Sequence, residues 1–361
     1  MGWHQGSNGG RGTVAYDRLD GRAASFLRRE SPRSPLHVGS LALFEAQPFV
    51  DGPFVDGRGR FRLDDAREHV AGRLHRSPVM RRRVQPVPFG QGRPVWVEDG
   101  GFDLAYHVRL TALPRPGGEE QLLALMARIQ AIPLDRRRPL WELWFVDGVD
   151  GDRVAVIQKT HLALGEGLGP RGSLEAILDE GPPVQPLGAP PLGVPPLGAP
   201  QWTAHKAPNN VVLLAHSLAE RAKRPPEMAR VARAALRGPR RAVAAVGRSR
   251  ASLEIGSRLH YEIARAGDAS ADDVRGAVHS VCASAAVTFE TLPGPRYLLG
   301  ARLLEAFSSA PPVGKAPAVA VLAYAGRLGI GLTSDRAASV DLGGLADALE
   351  RALDEPGAAA G

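Results

Sequence analysis

The chain has one cysteine, few aromatic residues and no long apolar run, and each of these shortages excludes a class of protein. Cys282 stands alone, so no disulfide can close within the chain and no cysteine-based zinc site can form. Aromatic residues make up 6% of the 361 residues, and we therefore expect a mainly aliphatic core. No uninterrupted apolar stretch is long enough to span a bilayer. A single free thiol fits a reducing cytoplasm.

The N-terminal segment lacks the apolar stretch of a signal peptide, because Met1–Gly12 is polar and rich in glycine. We predict that residues 1–15 are a disordered extension. The hydrophobic fraction of 44% is sufficient for a globular core, and the length favours two domains.

A proline-rich segment marks the predicted domain boundary. Residues Pro182–Pro200 repeat the unit Pro-Leu-Gly, which has few hydrogen-bond donors and favours extended conformations, as in a semi-rigid linker. We predict an N-terminal domain over residues 16–181, a linker over residues 182–208 and a shortened C-terminal domain with basic helices over residues 209–361.

Apolar periodicity predicts a mixed α/β chain. Alternation over Phe102–Leu110 predicts a half-buried strand with His107 on its exposed face. Further strands are predicted over Leu36–Phe44, Leu140–Val146, Val154–Lys159, Val319–Tyr324 and Leu328–Thr333, and helices over Leu63–Leu74, Glu119–Ile132, Ser173–Asp179, Asp273–Ala286 and a C-terminal segment that carries Leu345, Leu349 and Leu353 on one face.

The segment Arg221–Arg250 contains ten basic residues and only one acidic residue, Glu227. A basic amphipathic helix pair suits an anionic membrane surface, and a solvated basic face packed on the second domain explains the pattern equally well. We expect a cytoplasmic protein, with a peripheral site for a membrane or lipid droplet as one interpretation. No nucleic-acid partner is expected, since no binding motif or interleaved aromatics are present. The basic residues of this predicted surface include Arg221, Arg230, Arg233, Arg237, Arg240 and Arg241.

The segment Gln158–Gly167 is the candidate active site. It follows the apolar run Arg153–Ile157 and ends in a glycine-rich turn. A histidine that leaves a buried strand at such a turn, here His161, is well placed for proton transfer, because the unperturbed pKa of imidazole lies near neutral pH.

Four blocks in the right order resemble the bacterial wax ester synthase/diacylglycerol acyltransferase family. The most specific is Pro133–Glu142, and the segment Lys159–Gly167 stands where this family has its His-His-x-x-x-Asp-Gly motif. The other two are the opening block, Ala24–Leu27 with Glu30–Pro32 and Leu36–Gly39, and the C-terminal block, Leu292–Pro295 with Leu299–Ala301 and Tyr324–Leu328.

The resemblance implies a two-domain fold of the chloramphenicol-acetyltransferase-like, coenzyme-A-dependent type, with a tunnel between the domains. It implies transfer of a fatty acyl group from acyl-CoA to the hydroxyl of a diacylglycerol or long-chain alcohol, for triacylglycerol or wax ester synthesis. In that family the second histidine is the general base and the acidic residue holds the motif in shape. No metal and no cofactor are expected, and acyl-CoA is the donor substrate.

The chain departs from the family at the motif and in its length. Without gaps, His161 falls on the first histidine, Leu162 on the second and Glu166 on the aspartate, followed by Gly167. A register shifted by one residue would make His161 the base. The stretch between the linker and Leu292 is also shorter than the family's. Two hypotheses stay open: an O-acyltransferase with His161 as catalytic base and Glu166 and Gly167 as motif-structural residues, or a catalytically impaired relative that binds lipid or acyl-CoA, or associates with membranes.

Two further groups have open assignments. His37 is interpreted as a satisfied core histidine, with a place in the substrate cavity as the alternative. The run Arg136–Arg138 would meet coenzyme A phosphates, pair with Glu142 or remain solvated.

Overall fold

The fold is taken from a computed structural model. It describes residues 16–31, 35–46, 52–165, 172–182, 203–222, 259–267, 269–312, 316–338 and 340–354. The predicted N-terminal extension, most of the proline-rich linker and all but the start of the basic segment lie outside these ranges.

The described chain alternates strands and helices. The strands are β1 (Asp17–Arg18), β2 (His37–Glu45), β3 (Arg82–Gln85), β4 (Val95–Glu98), β5 (Val108–Ala112), β6 (Trp141–Val149), β7 (Arg153–His161), β8 (Leu259–Ala266), β9 (Ala286–Leu292), β10 (Tyr297–Leu298), β11 (Ala301–Ser309), β12 (Ala318–Tyr324) and β13 (Arg327–Asp335). The helices are α1 (Gly21–Arg29), α2 (Leu63–Arg73), α3 (Leu104–His107), α4 (Glu119–Ala131), α5 (Gly172–Ile177), α6 (Asn210–Ala222), α7 (Ala271–Val281) and α8 (Leu342–Asp354).

The largest sheet has six strands in the order β10-β11-β2-β7-β6-β5. Its central strands are antiparallel, and β5 joins its edge parallel to β6. A four-stranded sheet has the order β8-β13-β12-β9, with β9 parallel to β12. A small sheet, β1-β4-β3, packs against α6 through Val95, Val97 and Leu213.

The central strands of the six-stranded sheet are buried on both faces. Phe44 and Val156 belong to the cluster on one face, whereas Leu41 and Ile157 pack with helix α4 on the other. This double burial explains the nearly continuous apolar runs of β2 and β7. The four-stranded sheet has its own cluster with α7 and α8, which includes Val274, Val321 and Leu349.

Strand β11 connects the two halves of the chain, because it pairs with β2 from Leu303↔Phe44 to Ser309↔Gly39. The apolar pattern did not predict this strand. Two glycines of β13 then let the second sheet approach β11 closely. A Cβ atom on Gly329 or Gly331 would overlap the carbonyl oxygen of Ala306 or Ser308, respectively. The predicted boundaries of the two domains stay a prediction.

The predicted strand over Phe102–Leu110 is wrong in its first half. Residues 104–107 form the short helix α3, which Asp103 caps by accepting a hydrogen bond from the N–H of Ala105. His107 is consequently fully buried instead of exposed. Its Nδ1 lies 2.8 Å from the carbonyl oxygen of Trp141, and its ring stacks on the Trp141 indole at 4.5 Å. A capping aspartate outweighed the alternating pattern here.

The other predicted elements within the described residues are confirmed as to type. They match β2, α2, α4, β6, β7, α5, α7, β12, β13 and α8, with bounds that differ by a few residues. The largest difference is α7, which ends at Val281 instead of Ala286 because residues 286–292 form β9.

We predict that Gly331→Ala destabilises the fold, because the added methyl group meets the Ser308 carbonyl in a packed sheet contact. Overpacking of this kind costs about 1–3 kcal/mol. Urea denaturation of the purified protein measures the change. The control is Gly276→Ala on the exposed side of α7, where a Cβ meets open space and should leave stability equal or slightly higher. Equal stability of the two variants would contradict the close contact of β11 and β13.

Candidate active site

Strand β7 presents successive side chains to opposite faces of the sheet, as strand geometry requires. Gln158 and Thr160 line a cavity on one face, and Leu162, the first residue of the short turn after β7, lines it too. Lys159 lies on the other face against α4, whereas His161 lies against Glu30. The motif histidine and the leucine that follows it therefore lie in different surroundings.

Lys159 is buried against the end of helix α4. Its Nζ lies 2.8 Å from the carbonyl oxygen of Ile129 and also donates to the carbonyl of Ile132. Burial lowers the pKa of Lys159 to about 8. A cation at this place also suits the negative end of the helix dipole. Lys159 therefore closes the C-terminus of α4.

The two ring nitrogens of His161 face different partners. Nδ1 accepts a hydrogen bond of 2.9 Å from the N–H of Ala163, so a neutral His161 carries its proton on Nε2. That Nε2 lies 3.3 Å from Oε1 of Glu30, and the side chain is fully buried. The ring thus holds the turn Leu162–Leu164 to the end of β7.

His37 lies opposite His161 in the β2–β7 register and faces the same carboxyl group. Its Nε2 is 3.3 Å from Oε1 of Glu30, and its Nδ1 is 3.0 Å from the carbonyl oxygen of Gln130. The side chain is 2% exposed, which confirms the interpretation of His37 as a core histidine. Burial lowers its pKa, although Glu30 opposes that shift.

Glu30 is the central residue of this cluster. It follows α1 directly, and its Oε2 accepts a 2.8 Å bond from Nη2 of Arg136, in the block before β6. Burial alone would raise the pKa of Glu30, but contacts with His161, His37 and Arg136 outweigh it and hold the pKa well below its usual range. We conclude that Glu30 is ionised and links α1, β2, β7 and the Pro133–Glu142 block.

A cavity of about 460 Å³ lies between the six-stranded and four-stranded sheets. Its walls are mainly apolar on α1 and β12, through Phe26, Ala320 and Leu322. Its floor carries a row of polar side chains on three adjacent strands, set in register by the pairs Ser308↔Ser40 and Ser40↔Gln158. Ser40 donates a 2.8 Å bond to Oε1 of Gln158, whose Nε2 reaches the hydroxyl of Thr160.

The structure separates the predicted site residues. Leu162 lines the cavity, whereas His161 is not among its described lining residues. Glu166 and Gly167 lie outside the described residues. The role of His161 as catalytic base stays a prediction.

Sequence reasoning missed two features of the site: the role of Glu30, and strand β11, whose Ser308 and Ser309 line the cavity. Glu30 stood in a motif block without a role, and its partners come from segments up to 131 positions away. The run Arg136–Arg138 does not pair with Glu142. Arg136 instead binds Glu30, Arg137 binds Asp135, and the Arg138 guanidinium lies over the Tyr106 ring.

In the described part of the chain, no group of three His, Cys, Asp or Glu side chains could hold a metal ion. Among the same residues no helix is long and apolar enough to cross a membrane.

Comparison with known proteins supports one family. Residues 19–284 match the model of the wax ester synthase/diacylglycerol acyltransferase catalytic domain. A probable diacylglycerol O-acyltransferase of Mycobacterium tuberculosis, tgs3, is 40% identical over 151 residues, 42% of this chain and 52% of the relative. A putative diacylglycerol O-acyltransferase of the same species, Rv3087, is 39% identical over 173 residues, 48% of this chain and 35% of the relative. The chain thus matches about half or less of the length of these relatives.

Solved structures with low sequence identity show the same fold. The wax ester synthase/diacylglycerol acyltransferase of Marinobacter aquaeolei VT8 superposes with a TM-score of 0.58 at 18% identity, covering 93% of this chain and 98% of that chain. The first condensation domain of the calcium-dependent antibiotic synthetase gives a TM-score of 0.50 at 11% identity, covering 97% and 98%. The expected two-domain acyltransferase architecture is confirmed.

We predict that Glu30→Gln destabilises the protein by about 1–3 kcal/mol at neutral pH, because two buried histidines and Arg136 lose their anionic partner. A depressed carboxyl pKa contributes stability above the ordinary Glu value, about 4.3, and that contribution is lost as pH falls further. Unfolding free energies from pH 7 to pH 3 measure both effects. The wild type should lose more stability than Glu30→Gln over this range. If the wild type and Glu30→Gln lost the same amount of stability between pH 7 and pH 3, Glu30 would not be ionised in the folded protein.

Proposed function

Because this chain belongs to the wax ester synthase/diacylglycerol acyltransferase family, we propose that it is an acyl-CoA-dependent O-acyltransferase. It would transfer a fatty acyl group to the hydroxyl of a diacylglycerol or long-chain alcohol, yielding triacylglycerol or wax ester. The observation that carries this proposal is the cavity at the end of β7, which Leu162 of the motif lines.

The cavity has the size and lining that a lipid substrate requires. Its volume of about 460 Å³ falls within the usual range of small-molecule sites, about 300–1,000 Å³. Apolar side chains from α1, α5 and β12 line it, including Phe26, Leu174 and Leu322. Burial of an alkyl chain against them is favourable by about 0.8 kcal/mol for each methylene group.

The proposal keeps His161 as the candidate base, since it is the histidine of the motif. For this role, Nδ1 would have to lose the hydrogen bond from the Ala163 N–H, because Nε2 faces Glu30. Glu166 and Gly167 keep their proposed role in the shape of the motif.

A catalytically impaired, lipid-binding or acyl-CoA-binding protein is the second candidate, and Leu162 is the observation that favours it. Leucine cannot accept a proton, and general-base catalysis is worth about 10²–10⁴ in rate. A cavity lined by Leu162 would still bind the acyl chain. Binding without turnover is therefore the outcome that separates the two functions.

We further propose a cytoplasmic protein that contacts anionic lipid surfaces through its basic segment. The support is the excess of ten basic residues over one acid between Arg221 and Arg250. Co-sedimentation with anionic vesicles at low and high salt tests it, and equal recovery on neutral vesicles would contradict an electrostatic contact.

We predict that Leu162→Trp lowers both the affinity for palmitoyl-CoA and ester formation at least about tenfold, because an indole would occupy the space for an alkyl chain. Calorimetric titration gives the affinity, and radiolabelled palmitoyl-CoA with 1-hexadecanol or dipalmitoylglycerol reports the ester. The matched control is Val281→Trp, at a side chain that is 39% exposed on α7 and is not among the described lining residues of the cavity.

The outcomes distinguish the candidates. Ester formation by the wild type that drops only in Leu162→Trp supports the acyltransferase. Tight binding by the wild type without any ester supports the impaired, lipid-binding candidate. Unchanged binding by Leu162→Trp would show that the cavity is not the lipid site.

A further inference from the structure

The cavity contains a carboxyl group that lies outside the histidine motif. Strand β9 turns Val287 and Phe289 toward the cluster of the four-stranded sheet, and turns Thr288 and Glu290 toward the cavity. Ser308, at the end of the polar floor, donates a 2.6 Å hydrogen bond to Oε2 of Glu290. Glu290 is half-buried and lines the cavity, so a ligand there can reach its carboxyl group.

Glu290 differs in its ion pairing from the other carboxyl group that lines the cavity. The described lining contains no histidine, one arginine (Arg22) and two carboxyl groups (Glu175 and Glu290). Glu175 lies 3.5 Å from Nη2 of Arg296 and is therefore already paired with a cation. Within the described chain, Glu290 has no ion pair.

The surroundings of Glu290 favour a stronger base than an ordinary surface glutamate. Burial raises its pKa, and the hydrogen bond from Ser308 opposes that shift. A carboxylate whose pKa moves toward neutral accepts a proton more readily, which is the adjustment that general-base catalysis requires.

We propose that Glu290 binds the hydroxyl group of the acceptor lipid and takes its proton during acyl transfer. The hydroxyl oxygen attacks the thioester carbonyl carbon while its proton passes to a Glu290 oxygen. The carbon–sulfur bond then breaks, and the coenzyme A thiolate leaves with the proton from Glu290 as a free thiol. This assignment rests on the proposed acyltransferase function and makes Glu290 the alternative to His161.

The geometry supports Glu290 over the motif residues. Leu162 reaches the cavity but has no lone pair, and His161 is fully buried outside the described lining, with its Nδ1 accepting a hydrogen bond from the Ala163 N–H. Glu290 is reached from the cavity and needs no rearrangement of the sheet. A hydroxyl that enters an otherwise apolar space binds where it finds a polar partner.

The test compares Glu290→Gln with the wild type in the ester assay and in palmitoyl-CoA titration. Glutamine preserves shape and hydrogen bonding but cannot act as the base. We expect ester formation to fall about 10²–10⁴-fold while palmitoyl-CoA affinity changes less than about threefold. Glu68→Gln on the exposed side of α2 is the matched control and should behave as the wild type.

The pH dependence adds a readout that a structural role would not change. The wild-type rate should rise with pH as Glu290 loses its proton, with a midpoint above that of an ordinary glutamate. Ser308→Ala removes the bond that lowers the pKa, so the rising limb should move to higher pH. In Glu290→Gln, the rise of the rate with pH should be absent.

Different failures have different meanings. A wild-type rate in Glu290→Gln overturns the proposal, as does a loss confined to His161→Gln measured alongside it. Absence of ester from the wild type, with palmitoyl-CoA bound, contradicts the acyltransferase function itself and removes the role of Glu290 with it.

Discussion

The way the chain leaves β7 is the constraint on which the site depends. The strand ends at His161, and Leu162 begins the short turn that follows, so the two side chains leave the end of the strand toward different surroundings. Position 161 turns toward Glu30, and position 162 turns into the cavity between the sheets. The structure thus places His161 in the buried cluster around Glu30 and Leu162 in the wall of the cavity.

The α4 side of β7 carries ionisable groups that burial would normally penalise. Lys159, His37 and Glu30 are all removed from water, and each has a fixed partner. Such a network stabilises the fold only when its members are satisfied together, since an unpaired buried charge is costly. Glu30 connects the two histidines to Arg136 and thereby joins the opening block to the Pro133–Glu142 block.

Local patterns predicted most of the elements, and long-range contacts account for what they missed. The apolar runs of β2, β6 and β7 and the helical spacing of α4 each depend on residues close in sequence. The pairing of β11 with β2 joins positions more than 250 residues apart, so no window of sequence contains it. His107 shows a different limit, because the hydrogen bond to the Asp103 side chain replaced the expected strand with one turn of helix.

Two surfaces of different polarity form the cavity. The first sheet contributes hydroxyl and amide groups through Ser308, Ser40 and Gln158, and β12 of the second contributes Ala320 and Leu322. An ester-forming reaction needs both kinds of surface, since the alkyl chain must be desolvated while the reacting oxygen requires a polar partner. The close approach of β13 to β11 at two glycines brings these surfaces together. A carboxyl group on β9, at the border between them, lies where a hydroxyl with an apolar tail would be held. For this reason a leucine at position 162 does not leave the cavity without a proton acceptor.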